Sequence, residues 1–134
     1  MRFLQRFTEP AFFLLRLAAG LMFGFHGMQK IFGVLSEFQP AFPSQMWFGG
    51  MIELVAGILI AIGLWTRCAA FVASGEMAVA YIQFHWKLGM GSAFFPAINK
   101  GEMALLYCLL FLYIACRGPG PFSVDARGRG ERAR

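Results

Sequence analysis

Residues 46–86 read MWFGGMIELVAGILIAIGLWTRCAAFVASGEMAVAYIQFHW. About 40 residues, twice the roughly 20 that cross a bilayer as one helix, pass here with three formal charges, Glu53, Arg67 and Glu76. The only break is the link Trp65-Thr66-Arg67. Two apolar segments with almost no loop between them must run antiparallel, which predicts a helical hairpin with spans at about 46–65 and 67–86. The segments lack the alternation of a transmembrane strand, which sets aside a barrel.

Working outward, a Pro/Ser-rich loop, SEFQPAFPSQ, separates this hairpin from an earlier apolar run over about 10–34, entered at Pro10, a residue tolerated in a helix's first turn. A further run over about 101–116 ends at the Gly/Pro stop RGPGPF. The expected fold class is therefore all-α: an integral membrane four-helix bundle over residues 1–118, followed by a basic tail over 119–134. Composition agrees: 14% of residues are charged, against roughly 25% in soluble proteins, and 58% are hydrophobic. Arg16 interrupts the first run, which also outlasts a signal peptide's apolar core, so no cleaved leader is expected.

Arg2, Arg6, Arg67, Arg117, Arg127, Arg129, Arg132 and Arg134 fall on one side of this four-span arrangement, and Lys30, Lys87 and Lys100 on the other. The positive-inside rule then puts both termini in the cytoplasm. The net charge of +5 needs no nucleic-acid partner. The tail, DARGRGERAR, reads as a disordered retention signal able to touch anionic lipid. Membrane disulfide chemistry needs paired cysteines. The three cysteines form no CxxC: Cys68 and Cys116 lie near the cytoplasmic ends and Cys108 is mid-helix, as small embedded hydrophobes.

Ionisable residues at membrane depth are costly, and each one is a functional candidate. Arg16 lies about 9 Å in from the start of the first span, Glu76 about 13 Å in from Arg67, and Glu53 about 10 Å below the outer end of the second span. These depths predict that Arg16 pairs with Glu76, with Glu53 as a second partner. Such a pair is either a register-fixing ion pair or part of a site. A second carboxylate left over at that depth either carries a proton or serves a ligand.

A second group gathers in the outer half. His26 and Lys30 are one turn apart with Gln29 beside them; Gln83 and His85 close the third span; Asn99, Lys100 and Glu102 open the fourth. Interfacial anchoring accounts equally for the lysines and for His85 beside Trp86. Two histidines on separate helices with no Cys/His spacing give no expectation of haem or metal. His26, Glu53 and Glu102 form a candidate acid–base set, with Lys30 nearby, able to hydrogen-bond and protonate a quinone carbonyl. Gly20, Gly24, Gly27 and Gly57 read as close-packing positions, and Gly49-Gly50 as a site for a bend. The apolar loop KLGMGSAFFPAINK is either a re-entrant cap over the outer group or an interfacial loop.

RLAAGLMFGFHGMQKIFG (16–33), MIELVAGILIAIGLWTRCAAFVASGEMAVAYIQFH (51–85) and FFPAINKGEMALLYCLLFLYIACRGPGPFSVD (94–125) together resemble the DoxX family of small bacterial membrane proteins, over roughly residues 12–126. The landmarks are Arg16, His26, Gly27, Lys30, Glu53, Gly57, Arg67, Glu76, His85, Pro96, Asn99, Gly101 and Glu102. The resemblance implies a multi-pass protein of the bacterial inner membrane. Some relatives are described as the membrane subunit of thiosulfate:quinone oxidoreductase, and others are linked to membrane oxidoreductase complexes in sulfur and oxidative-stress metabolism. Two functions are thereby expected as alternatives. One is a quinone-interacting oxidoreductase subunit, with His26, Glu53 and Glu102 handling protons and Arg16, Gln29, Lys30, Glu76, His85 and Asn99 forming the binding site. Electrons then come from a soluble or membrane redox partner, because the sequence has no flavin or haem signature. The other is a non-enzymatic scaffold, assembly factor or small-molecule binding or passage protein. Either leaves room for a homo-oligomer in the lipid bilayer.

Overall fold

The structure is a computed structural model that describes residues 2–132. Among these residues it is helical throughout its regular elements, with no strand. A 3₁₀ segment, Arg2–Phe7, leads into α1, Thr8–Phe32; α2 spans Gln45–Ile62 and α3 spans Thr66–Ala80. A π-helical turn, Tyr81–Trp86, continues α3. The short α4, Pro96–Asn99, precedes α5, Glu102–Arg117, and α6 covers Val124–Arg132.

Two helical stretches, Phe3–Phe32 and Gln45–Ile62, are long and apolar enough to cross a bilayer. The large apolar side chains Leu14, Leu21, Ile58, Phe71 and Leu106 face outward from α1, α2, α3 and α5. So much exposed apolar surface reverses the pattern of a soluble helix and suits contact with lipid. Inside, Phe23, Ile60, Phe111 and Ile114 are fully enclosed, with Phe23 and Phe111 edge-on at 4.7 Å between ring centroids.

The helices pack as two close pairs, α1 with α2 and α3 with α5, and the pairs meet less extensively between α2 and α3. Glycine sets the first seam. A Cβ at Gly20 would stand 2.6 Å from Ala61 N, and one at Gly57 2.4 Å from Gly24 N. The backbones therefore approach where any side chain would separate them. The expected packing glycines are thus used between α1 and α2.

Side chains from elsewhere close the helix ends. Ser44 accepts from Trp47 N at the start of α2, as a serine N-cap does. Gly63, at φ +74°, ends α2 with Leu64 N donating back to Leu59 O. Arg67 donates to the carbonyls of Ala115, Cys116 and Arg117 at the end of α5, where a cation also meets the negative end of the helix dipole. Arg117 pairs with Glu9 and lies over the Phe12 ring.

The tail departs from its expectation of disorder. Asp125 accepts from Trp65 N, Thr66 N and the Thr66 hydroxyl at 2.9–3.0 Å, and its own N–H donates to Gly63 O. The carboxylate satisfies the free amides that open α3, so the chain after Gly118 folds back as a strap over the α2–α3 link. Residues 133 and 134, which the tail expectation also covered, lie outside the described residues.

Candidate functional site

The open cleft between α2 and α3 holds a cavity of about 550 Å³. Its walls are mostly apolar, with Phe23, Ile52, Met77, Phe84 and Met103 among them, and its polar groups are His26, Lys30, Gln45, Glu53, Glu76, His85 and Tyr107. Of the site residues expected from sequence, His26, Lys30, Glu53, Glu76 and His85 come together here.

At its centre Lys30 Nζ donates to Glu53 Oε1 at 2.6 Å. Glu53 is 3% exposed. Its Oε2 is buried without a hydrogen-bond partner, and so is Glu76 Oε2. Glu76 interacts electrostatically with both Glu53 and Lys30. One ammonium thus faces two carboxylates, which leaves two acceptor atoms unsatisfied and one positive charge wanting, a costly state in an apolar setting. A proton or a hydrogen-bond donor from a ligand offsets it.

Gly49 and Gly50 make this cluster sterically possible. A Cβ at Gly49 would stand 3.1 Å from Glu76 Oε1, and one at Gly50 2.7 Å from Lys30 Cβ. The pair therefore clears one flank of α2 for Glu76 and another for the Lys30 stem. The expected bend gives way to this role, since α2 runs unbroken through both residues.

Gln45 and Tyr107 were not among the expected site residues. Gln45, Gly49 and Glu53 recur every four residues and so share one face of α2, a spacing readable in the sequence. Where the cleft meets the start of α2, Gln45 Nε2 donates to Gln83 Oε1 at 2.7 Å, tying α2 to the π-helical turn. Tyr107 sits within an apolar run and carries no comparable signal.

The remaining expected residues lie elsewhere. Arg16 is corrected most clearly: it is fully buried but donates to Ile60 O at 2.5 Å, Ala61 O at 2.9 Å and Phe122 O at 2.7 Å. Similar depth placed it near Glu76, yet a helical side chain leans toward its own N-terminus. That carries the guanidinium to the far end of α2. Asn99 bonds Ala93 O and, through Oδ1, Gly101 N, which shapes the turn into α5. Glu102 is exposed in the first turn of α5, and Gln29 is half-buried outside the cavity walls. His85 Nδ1 lies 3.3 Å from Asn99 O, which ties the cavity's edge to that turn. Among the described residues no three His, Cys, Asp or Glu side chains are grouped to hold a metal.

Against known proteins, the DoxX family model matches residues 11–86. A Haemophilus influenzae protein described only as uncharacterized is 39% identical over 137 residues, covering 93% of this chain and 96% of its own. No solved structure matches the chain.

Proposed function

This chain belongs to the DoxX family of membrane proteins, and from that premise we propose that it is the membrane subunit of a quinone-linked oxidoreductase, holding the quinone headgroup between α2 and α3. In this reading it is a four-helix bundle in the bacterial inner membrane, crossed by α1, α2, α3 with its π-turn, and α5, with both termini cytoplasmic. The cations support that orientation. Arg67 and Arg117 meet at one end, where Arg117 also pairs with Glu9, whereas Lys30, Lys87 and Lys100 belong to the opposite ends of the spans.

The observation that carries the reading is the Lys30–Glu53–Glu76 cluster in an otherwise apolar cavity. The residues fit the group: the volume lies within the range of cofactor sites, the walls suit a flat ring, and donors and acceptors both converge. When bound, a quinone supplies two-electron acceptance coupled to proton uptake at its ring oxygens. Lys30 has N–H groups beyond the one given to Glu53 and holds a ring carbonyl through them. Glu53 and Glu76 hold and release protons at their Oε2 atoms, in reach of the cavity. Phe23 and Phe84 give the cavity apolar walls beside the cluster. A partner redox subunit delivers the electrons.

Quinone retained through purification tests this. Wild-type protein is expected to carry it, and Glu53→Gln to lower retention by about ten-fold, the effect of losing ~1.4 kcal/mol from one charge-assisted hydrogen bond. Absence of quinone from both, with no change in any quinone-linked activity, removes the redox reading and leaves the scaffold or passage role.

A further inference from the structure

The polar cavity does not end within the bundle. A second hollow of about 390 Å³ follows the same cleft toward the Trp65 end of α2 and α3, and Ile52 and Val72 form part of the wall of both. Its lining is apolar, from Met51, Val55 and Leu59 on α2 and from Trp65 and Ala69 by way of the Cys68 thiol on the α3 side. Met51 to Leu59 is roughly 12 Å of helix axis at 1.5 Å per residue. The floor is kept low by small side chains: Ala56 is 5% exposed and Ala69 7% exposed. Glycines close the neighbouring α1–α2 seam, whereas here the two helices stay far enough apart to leave a channel.

We propose that this groove seats the isoprenoid tail of the ligand whose headgroup occupies the Lys30–Glu53–Glu76 cavity, so that the chain binds a prenylated quinone lengthwise along α2 and α3. The inference rests on the headgroup reading above. What singles out a tail is adjacency: Ile52 and Val72 line both hollows, so a headgroup facing Glu53 has the apolar groove next to it along α2 and α3. A free lipid acyl chain would meet the same apolar wall but has no reason to enter from the polar end. Because lipid is as apolar as the groove, the tail gains little transfer energy and is held by close packing. Occupancy of the groove is therefore a sharper measure than affinity.

Cys68 lies in the groove and is exposed there, and the other two cysteines, Cys108 and Cys116, are outside it. The experiment uses the full chain in lipid nanodiscs as the Cys108→Ala/Cys116→Ala variant, with Cys68 labelled by a membrane-permeant maleimide. Two fully ring-substituted benzoquinones, which cannot add a thiol, are compared: one with a prenyl tail and one without. At ligand ten times its Kd, the tailed compound is expected to slow Cys68 labelling about ten-fold, following 1 + [L]/Kd. The tailless compound is expected to bind and leave labelling unchanged. Val55→Trp, which fills the groove from an exposed position, is expected to abolish protection while sparing tailless binding; Val55→Phe serves if the larger side chain prevents folding. If both compounds bind and Cys68 reacts alike in all cases, the tail assignment falls and the headgroup reading stands. Equal protection by the tailless compound, or protection by nanodisc lipid alone, also overturns it. If neither compound binds, the headgroup reading falls with it.

Discussion

Arg16 and Lys30 stand on the same edge of α1, the one that carries Gly20 and Gly27 against α2. They are about 21 Å apart along the axis at 1.5 Å per residue, and each meets a different part of α2. Midway along α2 a cation finds a carboxylate, Glu53; at its end a cation finds bare carbonyls, those of Ile60 and Ala61. The carbonyl end needs a planar fork that serves several acceptors at once, which lysine cannot offer. Arg16→Ala is expected to destabilise the protein by about 3 kcal/mol, because three carbonyls lose a charged donor. Arg16→Lys should recover less than half of that in thermal unfolding in detergent. The Lys30–Glu53 contact behaves as a coupled pair. Lys30→Met leaves the buried Glu53 and the half-buried Glu76 unbalanced and is expected to cost more than the double variant Lys30→Met/Glu53→Gln, with a coupling of about 1–3 kcal/mol from the double-mutant cycle. Additive costs would mean that the pair contributes nothing as a unit.

Helix by helix, the glycines divide into those in contact and those in open space, and the difference predicts opposite signs. A methyl at Gly57 meets Gly24 N at 2.4 Å, where backbone cannot yield. Gly57→Ala is therefore expected to lower stability by about 1–3 kcal/mol. Gly75, mid-way along α3, has nothing within 4 Å of an added Cβ, so Gly75→Ala should raise stability by roughly 0.5–1 kcal/mol through the lost backbone entropy. Differential scanning of both variants checks the pair, and a destabilised Gly75→Ala would show that the cleft is narrower than described. The same elements show how far the sequence could be read. Apolar runs and their breakers placed the helices well, because length and Gly/Pro punctuation act locally. Lys30, Glu53, Glu76, His26 and His85 were each legible as candidates, since a charge in a span must turn inward, but depth alone divided them between two groups. Arg16's partner was not legible. Depth fixes a residue's height on a helix but neither the direction of its side chain nor a backbone acceptor, and carbonyls at a helix end carry no signature in the sequence. Gly49-Gly50 was misread for a related reason: a gap that admits another helix's side chain looks, in one dimension, like a hinge.

Across the whole molecule, one end of the bundle is tied and the other is open. Arg16, Arg67 and Asp125 bind the end of α2, the end of α5 and the start of α3 to one another through the strap that follows Gly118. The cavity lies toward the opposite end, between helix pairs joined there by the Gln45–Gln83 contact. Asp125→Ala removes three acceptor contacts and a favourable charge near Arg16. It is expected to lower stability by about 1–2 kcal/mol, the range for a lost N-cap, while leaving the proposed quinone retention intact, because the contacts it makes are remote from the Lys30–Glu53–Glu76 cavity. Loss of retention in a folded Asp125→Ala protein would instead join the two ends functionally. The tied end must also be the cytoplasmic one if basic residues set the orientation. With the native cysteines replaced by alanine, a single cysteine at Lys87 is expected to react with an impermeant maleimide added to intact spheroplasts. One at Arg127, in the strap's helix, should react only after the membrane is opened. The reverse pattern would invert the bundle and place the cavity mouth on the cytoplasmic side, and labelling of both positions in intact spheroplasts would show that the spans between them are even in number.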